Sequence, residues 1–336
     1  MTKEAQIFIH ELPLLLNYLG SSLAVSYPLY GFDLFTARPD GNGYPLESFG
    51  SRDMFEDALE PFGIAALEMP SFNDLLSCLM NSGILPYANR DAFTEKLRLF
   101  ANLKKGVRYG LDTNVFYHGL PLNAGIDPAE FLLIETVKDE IESSLNYKYS
   151  PQQIADLKRF TKYQKLLLDE LVNARTKRAR QAAHLALPPF RAVRDRATLV
   201  PASEQSSSDK EANDLIIVRS LKVFEKEKFA LPVMLTADRN LATLCDAEGV
   251  EHFLFEMPAA LGRTHCTPAA FTKLLGTLAG VFGFIQCNSA IIFGEFRGKG
   301  SRSDELKVQF LNEALYESFK KDLILCRKLQ DLNIAV

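Results

Sequence analysis

The chain contains no tryptophan, an absence that excludes no class of function. Its five cysteines (Cys78, Cys245, Cys266, Cys287 and Cys326) include no Cys-x-x-Cys pair. Dispersed, odd-numbered thiols of this kind argue against a disulfide scaffold and for a reducing environment. His265-Cys266 has no second pair at ligand spacing, so zinc is not expected. No apolar run reaches the length of a membrane span; Leu274–Ile285 is the most suggestive, and glycines and threonine interrupt it. Met1–Phe8 lacks the basic-then-apolar design of a signal peptide. These absences predict a cytoplasmic protein with no membrane partner. No internal repeat is visible.

What is present is ordinary globular material: 336 residues, 47% hydrophobic and 24% charged. That length predicts two domains or one heavily decorated domain. The formal net charge is −4, but it is unevenly spread. Between Lys158 and Arg196 eleven Lys/Arg face three acids, a local charge of +8 that leaves −12 for the remainder. A basic stretch in an acidic chain is either a polyanion surface or a solvated helix packed on the acidic rest. Within it, Arg175, Lys177, Arg178 and Arg180 are the candidate nucleic-acid contacts.

Acidic residues stand beside several hydrophobic runs. Asp112 follows Val107–Leu111, Glu140 lies in Val137-Lys-Asp-Glu140-Ile141, Asp214 opens Leu215–Val218, and Asp238 closes Leu231–Thr236. In an open α/β sheet, ligands bind outside the carboxyl ends of the strands. Carboxylates gathered there repel one another and raise each other's pKa unless a cation joins them. Hard divalent ions such as Mg²⁺ or Mn²⁺ suit such oxygen ligands. The pattern predicts a metal-dependent phosphoryl-transfer site, with Asn114 and Thr236 as supporting groups. Each acid also has a bland role to set beside this one. Asp112 could cap a helix or make an Asx turn, and Asp214 and Asp238 could cap the helices that follow. Glu140 would sit at the margin of the buried stripe Ile134, Val137, Ile141, with Glu135 and Asp139 in solvent. Asp209 is a weaker fifth candidate, and His118 reads as a loop residue rather than a base.

Over Val107–Phe255, less than half of the chain, these residues resemble the PIN-domain nucleases. The carriers are Leu111-Asp112-Thr113-Asn114-Val115-Phe116, the Val-x-x-Glu-Ile setting of Glu140, Asn213-Asp214-Leu-Ile-Ile, and Thr236-Ala-Asp238-Arg-Asn-Leu241. The resemblance implies an α/β fold with a PIN-like open parallel sheet flanked by helices. It implies catalysis and Mg²⁺ or Mn²⁺ ligation by Asp112, Glu140, Asp214 and Asp238. Most such proteins are endoribonucleases, so RNA is the implied partner. A structure-specific DNA nuclease and a non-cleaving RNA- or protein-binding adaptor stay open, as do the number of ions and a homodimer.

The expected organisation has three parts. Residues 1–105 form a mixed α/β region without catalytic features, and residues 106–258 form the nuclease core. Residues 259–336 form a small α+β extension. A basic helical insertion, 148–210, interrupts the core, with one helix expected from Pro151 to about Leu185 and stopped by Pro188-Pro189. A helix is also expected from Pro128 to Ser144. The segment 201–208 is polar, and Arg297–Arg302 is a basic glycine-rich loop, a weaker candidate for phosphate.

Overall fold

Two sheets of opposite character carry the chain in the computed structural model, which describes residues 3–204, 210–296 and 303–332. Asp209, residues 205–208 of the polar segment and the Arg297–Arg302 loop lie outside the described residues. The chain divides into two compact units. One comprises Met1–Ile84, Tyr147–Arg180 and Leu261–Val336; the other comprises Leu85–Asn146 and Gln181–Ala260. Strands are numbered β1 to β13 along the chain.

The first unit is built on an eight-stranded antiparallel sheet. Its strands are β1 (Lys3–Phe8), β2 (Leu23–Ser26), β3 (Asp33–Ala37), β4 (Tyr44–Glu47), β10 (Thr264–Cys266), β11 (Phe284–Cys287), β12 (Ala290–Phe293) and β13 (Glu305–Phe310). Their spatial order is β1-β13-β12-β11-β2-β3-β4-β10. N-terminal and C-terminal strands are therefore interleaved in one sheet, which corrects the expectation of a separate N-terminal region and C-terminal extension. The reason is the pairing itself: β1 matches β13 over six residue pairs, and β11 lies between β12 and β2. Neither half could bury its apolar strand faces alone. The helix Pro268–Phe282 is buried from Leu274 to Phe282. Gly294 makes this approach possible, because a Cβ there would lie 2.3 Å from the Gly280 nitrogen.

The expected long helix of the insertion is broken, and the insertion itself divides between the units after Arg180. Pro151–Phe160 is helical, Lys165–Leu171 is a 3₁₀ turn, and Gln164 and Asn173 adopt left-handed backbone at φ 46° and 63°. The spacing of Ile154, Leu157, Leu168 and Leu171 suits a single helix, and all four are buried. Tertiary contacts override it: Tyr163 packs on Gly31, and Lys158 pairs with Asp169 across the break. Pro188-Pro189 does not stop a helix either. The two prolines open Leu187–Arg194 after a π-turn at Ala182–Ala186, occupying first-turn positions where a missing N–H costs little.

The second unit is a parallel α/β sheet. Its strands are β5 (Val107–Leu111), β6 (Phe131–Ile134), β7 (Thr198–Val200), β8 (Leu231–Thr236) and β9 (Glu251–Leu254), in the order β7-β6-β5-β8-β9. Every pairing is parallel, and helices flank the sheet. β6 corrects the expected helix from Pro128. Phe131-Leu-Leu-Ile134 has no polar side and is wholly buried, as a central parallel strand requires. The helix begins only at Glu135. Residues 85–105 also belong here rather than to the first region: Tyr87 stacks on Phe255 at 4.4 Å, and the Ala88 N–H donates to the Glu256 carbonyl. Gly110 in β5 lets Leu221 approach, since a Cβ there would lie 3.1 Å from its methyl group. That contact seats the helix Lys210–Lys228 on the sheet.

Candidate active site

The strand order sets where a site can form. From β5 the chain moves outward through β6 to β7, then crosses back to β8 and β9 on the other side. The order thus reverses between β5 and β8, and ligands of open parallel sheets bind outside the carboxyl ends at such a switch point. Asp112 directly follows β5, and Thr236 ends β8 with Asp238 two residues on.

Asp112 is buried at the N-cap position of the short helix Thr113–Tyr117, yet its side chain makes no capping bond. The bland role is therefore unfilled. Instead both of its hydrogen bonds fall on Oδ2, from the Thr236 hydroxyl at 2.8 Å and the Asn114 amide at 3.1 Å. Its own N–H donates to the Leu235 carbonyl, which locks the strand end to β8. Burial pushes the Asp112 carboxyl up to about 6. The bonds from Thr236 and Asn114 oppose that rise, and the charges of Asp238 and Glu140 add to it.

Thr236 is fully buried and acts in both directions, donating to Asp112 and accepting the Asp238 N–H at 2.9 Å. Asp238 does cap its helix, with Oδ1 accepting the Asn240 N–H at 2.8 Å. Capping and a place beside Asp112 are both realised in this residue. Glu140 is exposed on the helix Glu135–Ser144, whose Val137 and Ile141 are buried. The Thr113 hydroxyl donates to its Oε2 at 2.8 Å. Glu135, expected in solvent, is partly buried and accepts the Ala202 N–H.

Asp112, Glu140 and Asp238 are thus brought together with Thr113, Asn114 and Thr236. Asp214 is buried in the second turn of Lys210–Lys228, so it does not open that helix and cannot be its cap. Its helix packs against β8 and against the helices bearing Glu140 and Asp238. Among the described residues, no three His, Cys, Asp or Glu side chains form a group that could hold a metal ion. The sequence reading missed Thr113 as the group that holds Glu140. A hydroxyl directly after the strand-end acid was the available signal. His118 is half-buried, its Nδ1 lies 2.7 Å from the Tyr87 hydroxyl, and burial pulls its pKa down to about 4. It is neutral at pH 7 and carries no charge to the site.

The four basic candidates lie in the other unit, and three have their charge committed there. Arg175 pairs with the buried Glu295 at 2.6 Å. Lys177 pairs with the buried Asp74 at 2.9 Å and donates to the Met69 carbonyl. Arg180 is buried and donates to the carbonyls of Val281 and Arg175. Arg178 is exposed over the Tyr147 ring at 5.6 Å. For Arg175, Lys177 and Arg180 the nucleic-acid expectation is corrected. Buried carboxylates and carbonyls had to be satisfied, and these cations satisfy them.

Compared with known proteins, the chain matches no protein-family model and no curated protein. No helix among the described residues is long and apolar enough to cross a membrane.

The hydroxyl of Thr236 gives a test of this geometry. Thr236→Val keeps the shape but removes a bond to the ionised form of Asp112 and leaves the Asp238 N–H without its acceptor. The Asp112 pKa should rise further above 6, and the unit should lose about 1–3 kcal/mol. Titration of the carboxyl by NMR and urea unfolding at pH 7 check both. An unmoved pKa would mean that the bond does not hold the carboxylate.

Proposed function

We propose that the parallel-sheet unit is a metal-dependent phosphodiester hydrolase, most simply an endoribonuclease. The observation that carries this is Asp112, a buried carboxylate at the switch point whose bonds serve neither helix nor turn and whose charge is opposed by two neighbouring acids. Such a group is costly unless a cation joins it. The donor set is all oxygen, which suits Mg²⁺ or Mn²⁺. Mg²⁺ keeps several waters and is bound through one or two carboxylates plus substrate phosphate, so a site of this kind does not need three protein ligands. Asp112 and Asp238 would hold the ion, with Glu140 and Asp214 at or near the same pocket. When bound, it polarises a scissile phosphate and eases deprotonation of a water.

The chain's own residues supply orientation. Thr236 and Asn114 fix the Asp112 carboxylate on Oδ2, leaving Oδ1 without a described protein donor. Thr113 fixes Glu140, whose remaining oxygen can orient a water. RNA as the substrate, rather than DNA, rests on the PIN-like resemblance.

The test is incubation of the purified chain with labelled single-stranded RNA, structured RNA and DNA, in Mn²⁺, in Mg²⁺ and in excess EDTA. The expected result is RNA cleavage that needs the metal and falls at least about a thousandfold in EDTA. Cleavage of DNA alone would move the reading to a DNA nuclease. Binding without cleavage in either metal would mark a non-cleaving adaptor.

A further inference from the structure

The antiparallel unit carries an apolar surface that the proposed chemistry does not use. Ile64 and Leu67 are 91% and 78% exposed, and Met54, Phe160 and Tyr163 are exposed as well. These five side chains come from two short segments, 54–67 and 160–163. They line two adjoining hollows that share Pro61, Phe62 and Phe160. One, of about 300 Å³, lies between the helix Arg52–Leu59 and residues 160–163; the other, of about 650 Å³, lies between residues 61–68 and the helix Pro151–Phe160. At roughly 150–250 Å² per large side chain, the exposed parts total on the order of 600 Å². That is at the top of what a monomer ordinarily leaves to water. It also approaches the roughly 800 Å² that each partner contributes to a standard interface.

The charges on either side of this apolar strip point to its occupant. On one wall the helix that presents Asp57 to the first hollow carries Asp53, Glu56 and Asp57, with Glu60 at its C-cap, all exposed, and among the described residues none makes an ion pair. On the other wall, which presents Lys162 to that hollow, Lys162 and Lys165 are exposed and likewise make no ion pair among the described residues. Asp57 and Lys162 line the same hollow yet form no ion pair across it. A surface made for a basic or an acidic partner would carry one sign. A two-fold interface must instead be self-complementary, with each patch supplying what the other lacks.

We propose that this patch binds a second copy of the chain, the Asp53–Glu60 wall of each copy facing the Lys162–Lys165 wall of the other across a shared apolar strip. The strip supplies the affinity, and the flanking charges fix the two-fold register and disfavour other pairings. The interface lies on the antiparallel unit, so it stands or falls independently of the cleavage reading.

Equilibrium sedimentation of the full chain tests it. At about 100 µM, the mass should approach twice that of the chain, with dissociation weakened by low salt and promoted by high salt. Ile64→Asn with Leu67→Asn should give a monomer whose thermal unfolding matches that of the parent diluted until it dissociates, since neither side chain is in the core. Asp57→Lys with Glu60→Lys should weaken association at least about tenfold. Adding Lys162→Glu and Lys165→Glu to that variant should restore it to within about threefold, because the swapped walls again match. A parent chain that stays monomeric at about 100 µM overturns the proposal. So does a fourfold charge swap that associates no better than the twofold one.

Discussion

Asp112→Asn is expected to abolish cleavage, by at least about a thousandfold, and to make the metal-free protein more stable at neutral pH. The two effects share one cause. Folding raises the Asp112 pKa to about 6, from an ordinary value of roughly 3.9 in the unfolded chain. A group shifted upward favours folding only in its protonated form. Its penalty is absent below about pH 4, grows as pH rises from 4 to 6, and is complete above that. A shift of this size corresponds to about 2–3 kcal/mol. Asparagine removes the charge yet keeps an oxygen that can accept from Thr236 and Asn114, so the fold loses little. Urea unfolding at pH 8, 6 and 4 should therefore show the variant ahead by about 2–3 kcal/mol at pH 8, with the gap closing towards pH 4. Added Mn²⁺ should stabilise the parent more than the variant, because a ligand that binds only the folded state stabilises it by mass action. A variant that still cleaves within tenfold of the parent would remove Asp112 from the chemistry. A stability gap that ignores pH would mean that its charge is not the cause.

The second large effect concerns Arg180, where stability rather than binding should respond. Its guanidinium donates to the Val281 and Arg175 carbonyls, lies 3.5 Å from the Tyr149 hydroxyl, and sits over the Tyr149 ring. The Tyr149 hydroxyl in turn donates to Glu68 at 2.7 Å. Arg180→Ala would empty a buried volume and orphan carbonyls that water does not reach. The expected cost is about 3–5 kcal/mol, equivalent to a fall in Tm on the order of 10 °C for a unit of this size. Arg180→Lys should fall between the two, since an ammonium keeps the charge but not the planar fork that reaches several acceptors. RNA affinity and its salt slope, measured where the variant is folded, should not change. The opposite pattern, full stability with a flattened salt slope, would restore Arg180 as a phosphate contact.

These two residues show where a sequence is legible. Asp112 could be read because a carboxylate at the end of an apolar strand is a local contradiction, and its resolution needs only neighbours in sequence order. The helix Arg239–Glu248, with Asp238 before it and Gly249 in left-handed conformation after it, was equally readable from its caps. Arg180 could not be read. Eleven cations in a short stretch look alike in sequence, and only the folded chain reveals which of them lie under carbonyls and carboxylates. The strand Phe131–Ile134 was hidden for a related reason. A short apolar run has no period, and being buried on both faces is a property of the sheet around it.

The sequence by itself determined the strand-end acids Asp112 and Asp238, the caps of the helix Arg239–Glu248, the absence of a transmembrane-length apolar run, the first strand Val107–Leu111 and the strand-helix-strand succession from Leu231 to Leu254. These depend on chain-local physics: desolvation cost, capping and hydrophobic period. Only the tertiary structure decided the rest. Residues 1–84 and 261–336 share one antiparallel sheet because their strands complete each other's hydrogen bonds. The insertion divides between two units because its cations and apolar side chains found partners far away in the chain. The switch point lies between β5 and β8 because strand order is set by packing, and no stretch of sequence records which strand lies beside which.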